Sequence, residues 1–321
     1  MSVPSVTYRG YVSGDEHQLL ELYNHVFSRN RTSKHWRWEY EENPIRRRDS
    51  TVAFQGPLPV GHTGGVPLEF SHDGCRVRTT RSQNGFVHPD VQGRGIYREL
   101  LAQFTEKLRA DAIDFVFGFP NDNSLPSFMR RGEYEHPFDL FAYQCRIDAC
   151  VGGALPHVTV QLASALELTP SDAAFLQRRL AGTAIVNPRD LEYLRWRYHP
   201  RSGHAYRIVR AFMEGRQIGL AVAKPYRAGR SLDLVEFVFE DGTGVRAVLT
   251  ALAEAFRDEQ AECFSVWSME HYALHEYLRS IGFEREPRAT HFVYKPLSSR
   301  CSSRCDKPQG YYLSMGDSDV Y

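Results

Sequence analysis

Along the first half of the chain, segments whose hydrophobic residues have a helical spacing alternate with segments that have the pattern of a strand. Apolar residues spaced three and four positions apart predict helices after Gly14-Asp15, around Trp36 to Tyr40, and over residues 96–109 and 124–132. Shorter apolar or alternating runs predict strands at residues 8–12, 50–54, 60–66, 75–80, 84–87, 114–119 and 138–147. This half is therefore predicted to interleave strands with helices.

The second half shows a similar alternation. One helix is predicted to include Asp190 and Trp196 and to end at His199-Pro200. Two others are predicted over residues 244–257 and 273–283, and Gly282 ends the last one. Strands are predicted at residues 205–213, 217–226, 231–240, 263–269 and 290–297. The first two strands form a hairpin around Glu214-Gly215.

Three segments of the first half return in the second half in the same order. RWEYEENP (37–44) resembles RWRYHP (195–200), FVHPDVQGRGI (86–96) resembles FVFEDGTGV (237–245), and FMRRGEYE (128–135) resembles YLRSIGFE (277–284). We interpret this order as an internal duplication. The predicted division is one domain over residues 1–150, a second over residues 151–300 and a tail over residues 301–321, with the first boundary at the polar stretch Val151-Gly152-Gly153.

Length and charge limit the classes of function. A chain of 321 residues is long enough for two domains. Its 39 basic and 39 acidic residues cancel, which argues against an electrostatic surface for DNA. The basic residues are mostly arginines, as is typical of a GC-rich bacterial genome, and the Arg46 to Arg48 cluster is interpreted as a solvated loop. No apolar window reaches the ~20 residues of a membrane span, and the N-terminus lacks the pattern of a secretory signal, so we expect a cytoplasmic protein.

The six cysteines do not suggest a metal site. Cys301 and Cys305 are close in sequence, but no second pair completes the ligand set of a zinc site. A disulfide framework is typical of small secreted domains, which this chain does not resemble. We therefore expect ordinary thiols and no metal, with a reactive pair of Cys301 and Cys305 as the alternative.

The strongest chemical motif is VHPDVQGRGIYRELL (87–101). It combines a strand end, a proline, a glycine loop and an amphipathic helix. Gly93 and Gly95 allow backbone N–H groups to point outward, and the start of the helix is the positive end of its dipole. With Arg94 beside it, this loop is predicted to bind a polyphosphate anion.

This motif resembles the acetyl-CoA pyrophosphate loop of the GNAT superfamily of acyl-CoA N-acyltransferases. Gln92, Gly95 and the Val87-His88-Pro89 strand end fit the family pattern, whereas Tyr97 replaces its final small residue. The resemblance implies an α/β (α+β) fold of two GNAT-like domains, each with a mixed, mainly antiparallel twisted sheet flanked by helices. It implies a coenzyme site made of Phe86, Val87, His88, Gln92, Gly93, Arg94, Gly95, Ile96, Tyr97 and, after the next strand, Asn123.

The second half keeps two glycines, Gly242 and Gly244, but places Glu240-Asp241 before them. Two carboxylates next to a pyrophosphate would be repulsive. We therefore expect one acyl-CoA site per chain, in the first half. The second, degenerate domain would shape the pocket of the acceptor.

The resemblance implies direct attack of an amine on the thioester, with the carbonyl polarised by a backbone N–H near Phe86 to His88. The tyrosine that often protonates the thiolate is replaced by Phe128, and Tyr97 and Tyr134 are possible substitutes. No base is evident. His88 is one candidate, and Asp317 or Asp319 would be others if the tail folds back; alternatively, the tail is a polar end without a role.

Three functions remain open from the sequence. The first is an acetyl-CoA- or other acyl-CoA-dependent N-acyltransferase acting on a small amine, such as an amino sugar, amino acid or specialised metabolite. The second is a transferase that uses aminoacyl-tRNA, because Fem-type enzymes also pair two GNAT-like folds, although the balanced charge argues against tRNA. The third is a non-catalytic binding protein that has kept the fold. Acyl length, acceptor and oligomeric state cannot be read from the sequence.

Overall fold

The computed structural model describes residues 5–152, 157–226, 230–301 and 307–318. The chain divides into two compact units, here called unit 1 (residues 1–138 and 291–306) and unit 2 (residues 139–290 and 307–321). The chain enters unit 2 before the predicted boundary at residue 150, and it returns to unit 1 near residue 291 before the tail joins unit 2. Gly153, Cys305 and Asp319, which the sequence analysis considered, lie outside the described residues.

Unit 1 contains a mixed sheet in which all described neighbours but one pair antiparallel. Its order is β1-β2-β3-β4-β5-β13. Among the pairs of this unit that the structure describes, only β4 and β5 run parallel. The strands are β1 (Val6–Gly10), β2 (Asp49–Gln55), β3 (Leu58–His72), β4 (Cys75–Val87), β5 (Phe115–Gly118) and the end of β13 (Glu284–Pro296).

The helices described in this unit, which flank the sheet, are α1 (Glu16–Phe27), α2 (Ser33–Tyr40), α3 (Ile96–Ala110) and α4 (Leu125–Arg131). The first three bury apolar residues of the stripe that their sequence predicts, whereas α4 only partly buries Leu125 and Phe128. In α3 this stripe includes Leu100, Phe104 and Leu108, which pack in two adjacent clusters against β2, β3 and β5. Trp36 in α2 is completely buried beside Tyr40 and Val52.

Unit 2 repeats this plan with the sheet order β7-β9-β10-β11-β12-β6, and its only described parallel pair is β11 with β12. The strands are β6 (Glu135–Arg146), β7 (Val158–Ser164), β9 (Arg207–Met213), β10 (Arg216–Tyr226), β11 (Ser231–Phe239) and β12 (Cys263–Trp267), with a short β8 (Ile185–Val186) outside this order. The helices are α5 (Ile147–Cys150), α6 (Pro170–Leu180), α7 (Leu191–Arg197), α8 (Val245–Ala255) and α9 (His275–Ser280). An apolar core of β9 to β12 packs on α8.

The two units exchange their last strands. β6, from the first half of the sequence, pairs with β12 in unit 2. The end of β13, from the second half, pairs with β5 in unit 1, with Val293 opposite Gly118. The fold class predicted from the sequence is confirmed, since helices flank mainly antiparallel strands in both units. The duplication is visible as one strand order used twice.

Some elements differ from the sequence prediction. The runs at residues 75–80 and 84–87 form one strand, β4, because the chain bulges at Asn84 without leaving the sheet. β7 and α6 were not predicted. Within the described part of the chain, no helix has the length and apolar character that crossing a membrane requires.

Candidate active site

A gap between two parallel strands forms the centre of the site in unit 1. β4 and β5 pair only from Thr79 to Arg81 on one strand and from Phe115 to Phe117 on the other. β4 then continues to Val87, whereas β5 ends at Gly118. The last residues of β4 therefore leave one backbone edge unpaired by β5.

The backbone of Val87 lies on this free edge. The next residue, His88, donates its N–H to the carbonyl of Val60 on β3, with N and O 2.8 Å apart. Because neighbouring residues of an antiparallel strand direct their N–H and C=O groups to opposite sides, the N–H of Val87 points away from β3. Of the three residues predicted to polarise a thioester carbonyl, Val87 is thus the one whose N–H is oriented towards the gap.

The glycine loop follows β4 directly. A short 3-10 turn over Pro89–Val91 leads to Gly93 and Gly95, whose φ angles of 77° and 82° are costly for residues with a side chain. Apart from the chain neighbours of each glycine, no atom of the described residues lies within 4 Å of the position that its Cβ would take. Gly95 is the N-cap of α3, so the loop presents the free N–H groups of the first helical turn.

One cavity of about 870 Å³ lies over this loop. It lies within the range of roughly 300–1,000 Å³ that is typical of small-molecule sites. Nine of the ten residues predicted to bind the coenzyme line it: Phe86, Val87, Gln92, Gly93, Arg94, Gly95, Ile96, Tyr97 and Asn123. The structure thus brings together residues from β4, the loop, α3 and the segment before α4.

His88 does not line the cavity. Its Nδ1 accepts the backbone N–H of Asp90 at 3.2 Å, and its ring stacks on His25 with 5.3 Å between ring centroids. These contacts suit a residue that shapes the turn after β4. His88 was also a candidate base, and its orientation gives that hypothesis no support.

Two cationic residues at the cavity were not predicted from the sequence. Arg98 lies one turn after Arg94 at the start of α3, and Arg131 ends α4. Together with Arg94, both line the cavity and are exposed to solvent. The sequence could have indicated Arg98, because it lies four positions after Arg94 and so faces the same side of a helical turn. Arg131 is distant in sequence, and only the fold brings it to the site.

Tyr97 lies against the strand edge. A Cβ at Gly85 would come within 2.7 Å of the Tyr97 hydroxyl oxygen, so only glycine permits this approach. Burial raises the pKa of Tyr97 to about 12, although the nearby charge of Arg131 acts in the opposite direction. The hydroxyl therefore keeps its proton at neutral pH. Phe128 packs edge-on against Tyr134, with 4.9 Å between ring centroids, and carries no proton to donate.

A buried polar cluster at the bulge of β4 was missed by the sequence analysis. Glu39, only 4% exposed, accepts hydrogen bonds from the side chains of Gln83, Asn84 and Arg31, the last at 2.6 Å. Asn84 also donates to the hydroxyl of Tyr40 at 2.7 Å. These contacts hold the bulge that directs the end of β4. No local sequence signal links Glu39 to residues on a strand more than forty positions away.

His62 completes this cluster. Its Nδ1 donates to the backbone carbonyl of Asn84 at 2.8 Å, and its ring stacks on Phe86 with 5.2 Å between centroids. Burial lowers the pKa of His62 to about 4, even though the Asn84 carbonyl and the charge of Glu39 favour protonation. His62 is therefore neutral at physiological pH.

The corresponding loop of unit 2 is closed by its own residues. A Cβ at Gly244 would meet Val158, Ala211 and Ile218 within 3.4 Å, and a Cβ at Gly242 would lie 2.4 Å from the ring of Tyr277. The carboxylate of Asp241 accepts the backbone N–H of Thr243 at 2.6 Å. In this loop, the carboxylate of Asp241 therefore already accepts a hydrogen bond from an N–H group that a phosphate would need.

The tail carboxylate of Asp317 is buried inside unit 2. It accepts two hydrogen bonds from Arg189, at 2.9 and 2.7 Å, and both side chains are fully buried. Arg189 also donates to Glu236 at 2.7 Å. The tail does fold back, but its carboxylate neutralises an arginine of the same unit, which argues against Asp317 as a base.

Comparison with known proteins identifies the first half of the chain. Residues 7–136 match the family model described as an acetyltransferase (GNAT) domain. The first half is a GNAT domain. The cavity, the glycine loop and the gap between β4 and β5 all lie within this GNAT domain. No curated protein sequence matches the chain.

Solved structures extend the likeness to the fold of nearly the whole chain. A probable N-acyltransferase from Enterococcus faecalis aligns with a TM-score of 0.71 and 13% identity, over 91% of this chain and 72% of that one. A GCN5-related N-acetyltransferase from Anabaena variabilis gives a TM-score of 0.70 and 13% identity, over 92% and 73%. A tandem GNAT protein from the clavulanic acid biosynthesis pathway gives a TM-score of 0.61 and 14% identity, over 92% and 99%. At these identities, the likeness shows the fold alone.

Proposed function

We propose that the chain is an acyl-CoA-dependent N-acyltransferase that uses acetyl-CoA and transfers the acyl group to the amine of a small molecule. The observation that carries this proposal is the cavity of about 870 Å³ in the GNAT domain. It joins the N-terminus of α3, an open glycine loop and a free strand edge. An extended molecule with a phosphate group at one end and amides along its chain fits all three features.

The residues of the loop would hold the phosphates of the coenzyme. Backbone N–H groups around Gly93 to Ile96 face the anion, and the side chains of Arg94, Arg98 and Arg131 supply positive charge around the cavity. Asn123 would bind the amide arm from the other side of the gap. The free edge at Val87 would pair with that arm as a strand does.

In the reaction, the amine nitrogen forms a bond to the acyl carbon and the bond from that carbon to sulfur breaks. The N–H of Val87 would stabilise the negative charge that develops on the carbonyl oxygen. We assign to Tyr97 the proton that the leaving thiolate takes up, because its hydroxyl is protonated, lines the cavity and lies beside Gly85. The proton that the amine loses passes to a base that remains unassigned.

We further propose a single coenzyme site per chain. The second loop offers no open space at Gly244, and Asp241 takes one of its N–H groups. A phosphate would have to displace this carboxylate and also move the ring of Tyr277. Unit 2 therefore serves another purpose than binding a second coenzyme.

The experiment that tests the proposed activity follows the release of free thiol from acetyl-CoA with a panel of amino sugars, amino acids and simple diamines. We expect at least one amine to accelerate release and to yield an N-acetylated product by mass spectrometry. Transfer from aminoacyl-tRNA, tested in parallel, would favour the alternative of a tRNA-dependent enzyme. If coenzyme binds and neither donor reacts, the chain is a binding protein of the same fold.

A further inference from the structure

A second cavity, of about 390 Å³, lies entirely within unit 2. It opens where β11 and β12 diverge: the two strands pair from Ser231 to Asp233 and from Cys263 to Ser265, and no further. Beyond these pairs, Phe237 and Trp267 from the two strands line the cavity. Its volume lies within the range of small-molecule sites, roughly 300–1,000 Å³.

The cavity is the counterpart of the coenzyme gap in unit 1, but it lacks a phosphate site. None of residues 240–244, the loop before α8, is among its lining residues. Its walls are instead mostly apolar and aromatic, and the tail contributes Tyr311, Tyr312 and Met315. The space therefore suits an apolar molecule much smaller than a coenzyme.

One charged side chain, Arg179, lies on the wall of this cavity. Nε of Arg179 is buried and has no hydrogen-bond partner among the residues that the structure describes. Nη2 of the same guanidinium donates one long bond, of 3.3 Å, to the backbone carbonyl of Glu240. A buried donor on a charged group loses free energy unless an acceptor reaches it, so a ligand with an acceptor at this point would bind favourably.

The nearby carboxylates of the protein are occupied by other groups. Glu240 binds the guanidinium of Arg216. Asp241, whose pKa is lowered mainly by hydrogen bonds from Thr243 and further by the charge of Arg179, accepts the backbone N–H of Thr243. Arg179 therefore has acidic neighbours but no carboxylate of the described chain in hydrogen-bond contact.

We propose that this cavity binds a small apolar carboxylic acid, with its carboxylate on Arg179 and its apolar body between Phe237 and Trp267. A planar guanidinium binds a carboxylate through two parallel hydrogen bonds, which a single backbone carbonyl cannot match. The apolar walls favour an aliphatic or aromatic body and disfavour a second charge. The inference does not depend on acetyl-CoA binding in unit 1.

The test is calorimetric titration of the full chain with octanoate and 3-phenylpropanoate, and with the primary amide of each acid. We expect at least one acid to bind and its amide to bind about tenfold more weakly or worse, because the amide lacks the charge. Arg179→Met should weaken binding of the acid about tenfold or more. The matched control is Arg178→Met, which removes a neighbouring exposed arginine that stacks on Phe175 and should leave the affinity unchanged.

A second variant tests the location independently of charge. Thr183 lines the cavity, and Thr183→Trp should fill it and abolish binding of the acid. An unchanged thermal midpoint would show that this variant still folds. The proposal is overturned if neither acid binds, if acid and amide bind equally, or if the Arg178 and Arg179 variants weaken binding to the same extent.

Discussion

The side-chain amide of Gln92 donates a hydrogen bond of 3.1 Å to the backbone carbonyl of Val87. This bond ties the glycine loop to the last residue of β4. It also occupies the carbonyl of Val87 on the free edge and leaves the N–H of the same residue available. The loop that would hold phosphates and the edge that would hold the thioester are therefore connected by one side chain.

Removing this tether should weaken coenzyme binding. Gln92→Ala is expected to reduce acetyl-CoA affinity about fivefold, since a neutral hydrogen bond contributes about 1 kcal/mol. Calorimetry on the purified protein measures the effect. Gln103→Ala is the matched control, because among the described residues the side chain of Gln103 bonds only to Glu99, on the same helix. Equal affinities for both variants would show that the tether has no role in binding.

Tyr97→Phe should lower kcat about 100-fold and leave the Kd of acetyl-CoA nearly unchanged, because it removes a proton donor and little contact area. Single-turnover kinetics at saturating coenzyme measures the change. Tyr134→Phe is the control, since the Tyr134 ring is buried against Phe128 and outside the cavity. If kcat is the same for the Tyr97 variant and wild type, another group protonates the thiolate.

His62 should make the stability of unit 1 depend on pH. Because its folded pKa, about 4, lies below the usual value of 6.5, the unfolded chain binds a proton that the folded chain does not between these values. Stability should thus fall by about 3 kcal/mol as the pH drops through this window. Two neighbouring charges change the pKa of His62 in opposite directions: that of Glu39 raises it and that of Arg31 lowers it.

The measurement is the unfolding midpoint at several pH values for wild type, for His62→Gln and for a control, His17→Gln. His17 lies on the surface of α1 and is mostly exposed. After the pH dependence that carboxylates contribute is subtracted, we expect the plot of midpoint against pH to flatten only in the His62 variant. An identical slope in all three proteins would contradict the assignment.

Asp317→Asn should destabilise unit 2. It leaves the fully buried guanidinium of Arg189 with one carboxylate partner, Glu236, instead of two. Removing one partner of a buried ion pair typically costs about 3–5 kcal/mol. Thermal unfolding measures the loss, and Asp148→Asn, which breaks an exposed pair with Arg146, should leave the midpoint nearly unchanged. A midpoint equal to that of wild type would show that the tail contributes little to the fold.

Much of the fold was predictable because it depends on local patterns. The period of α3 and the glycines before it identified both the helix and the loop, and nine of the ten residues predicted there line one cavity. α6 was missed although its start carries a signal, a capping box in which Thr169 and Asp172 bind each other's backbone N–H groups.

Features that depend on distant contacts could not be predicted. The exchange of β6 and β13 follows from pairing between strands far apart in sequence. The sequence of either strand alone does not indicate its partner. The cluster of Glu39 and Asn84, and the pairing of Asp317 with Arg189, are long-range in the same sense. Nothing in the sequence around an aspartate in a polar tail indicates that its partner is a buried arginine.

The central claim is that unit 1 binds acetyl-CoA at the loop before α3, and calorimetry with a Gly95→Glu variant tests it most directly. Gly74→Glu is the matched control: Gly74 has a φ of 80° against 82° for Gly95, has equally open space around it, and lies in the turn between β3 and β4. Both variants add the same charge and the same backbone strain. We predict micromolar binding by wild type and by the Gly74 variant, and none by the Gly95 variant. Absence of binding by wild type, or equal binding by the two variants, would contradict the account.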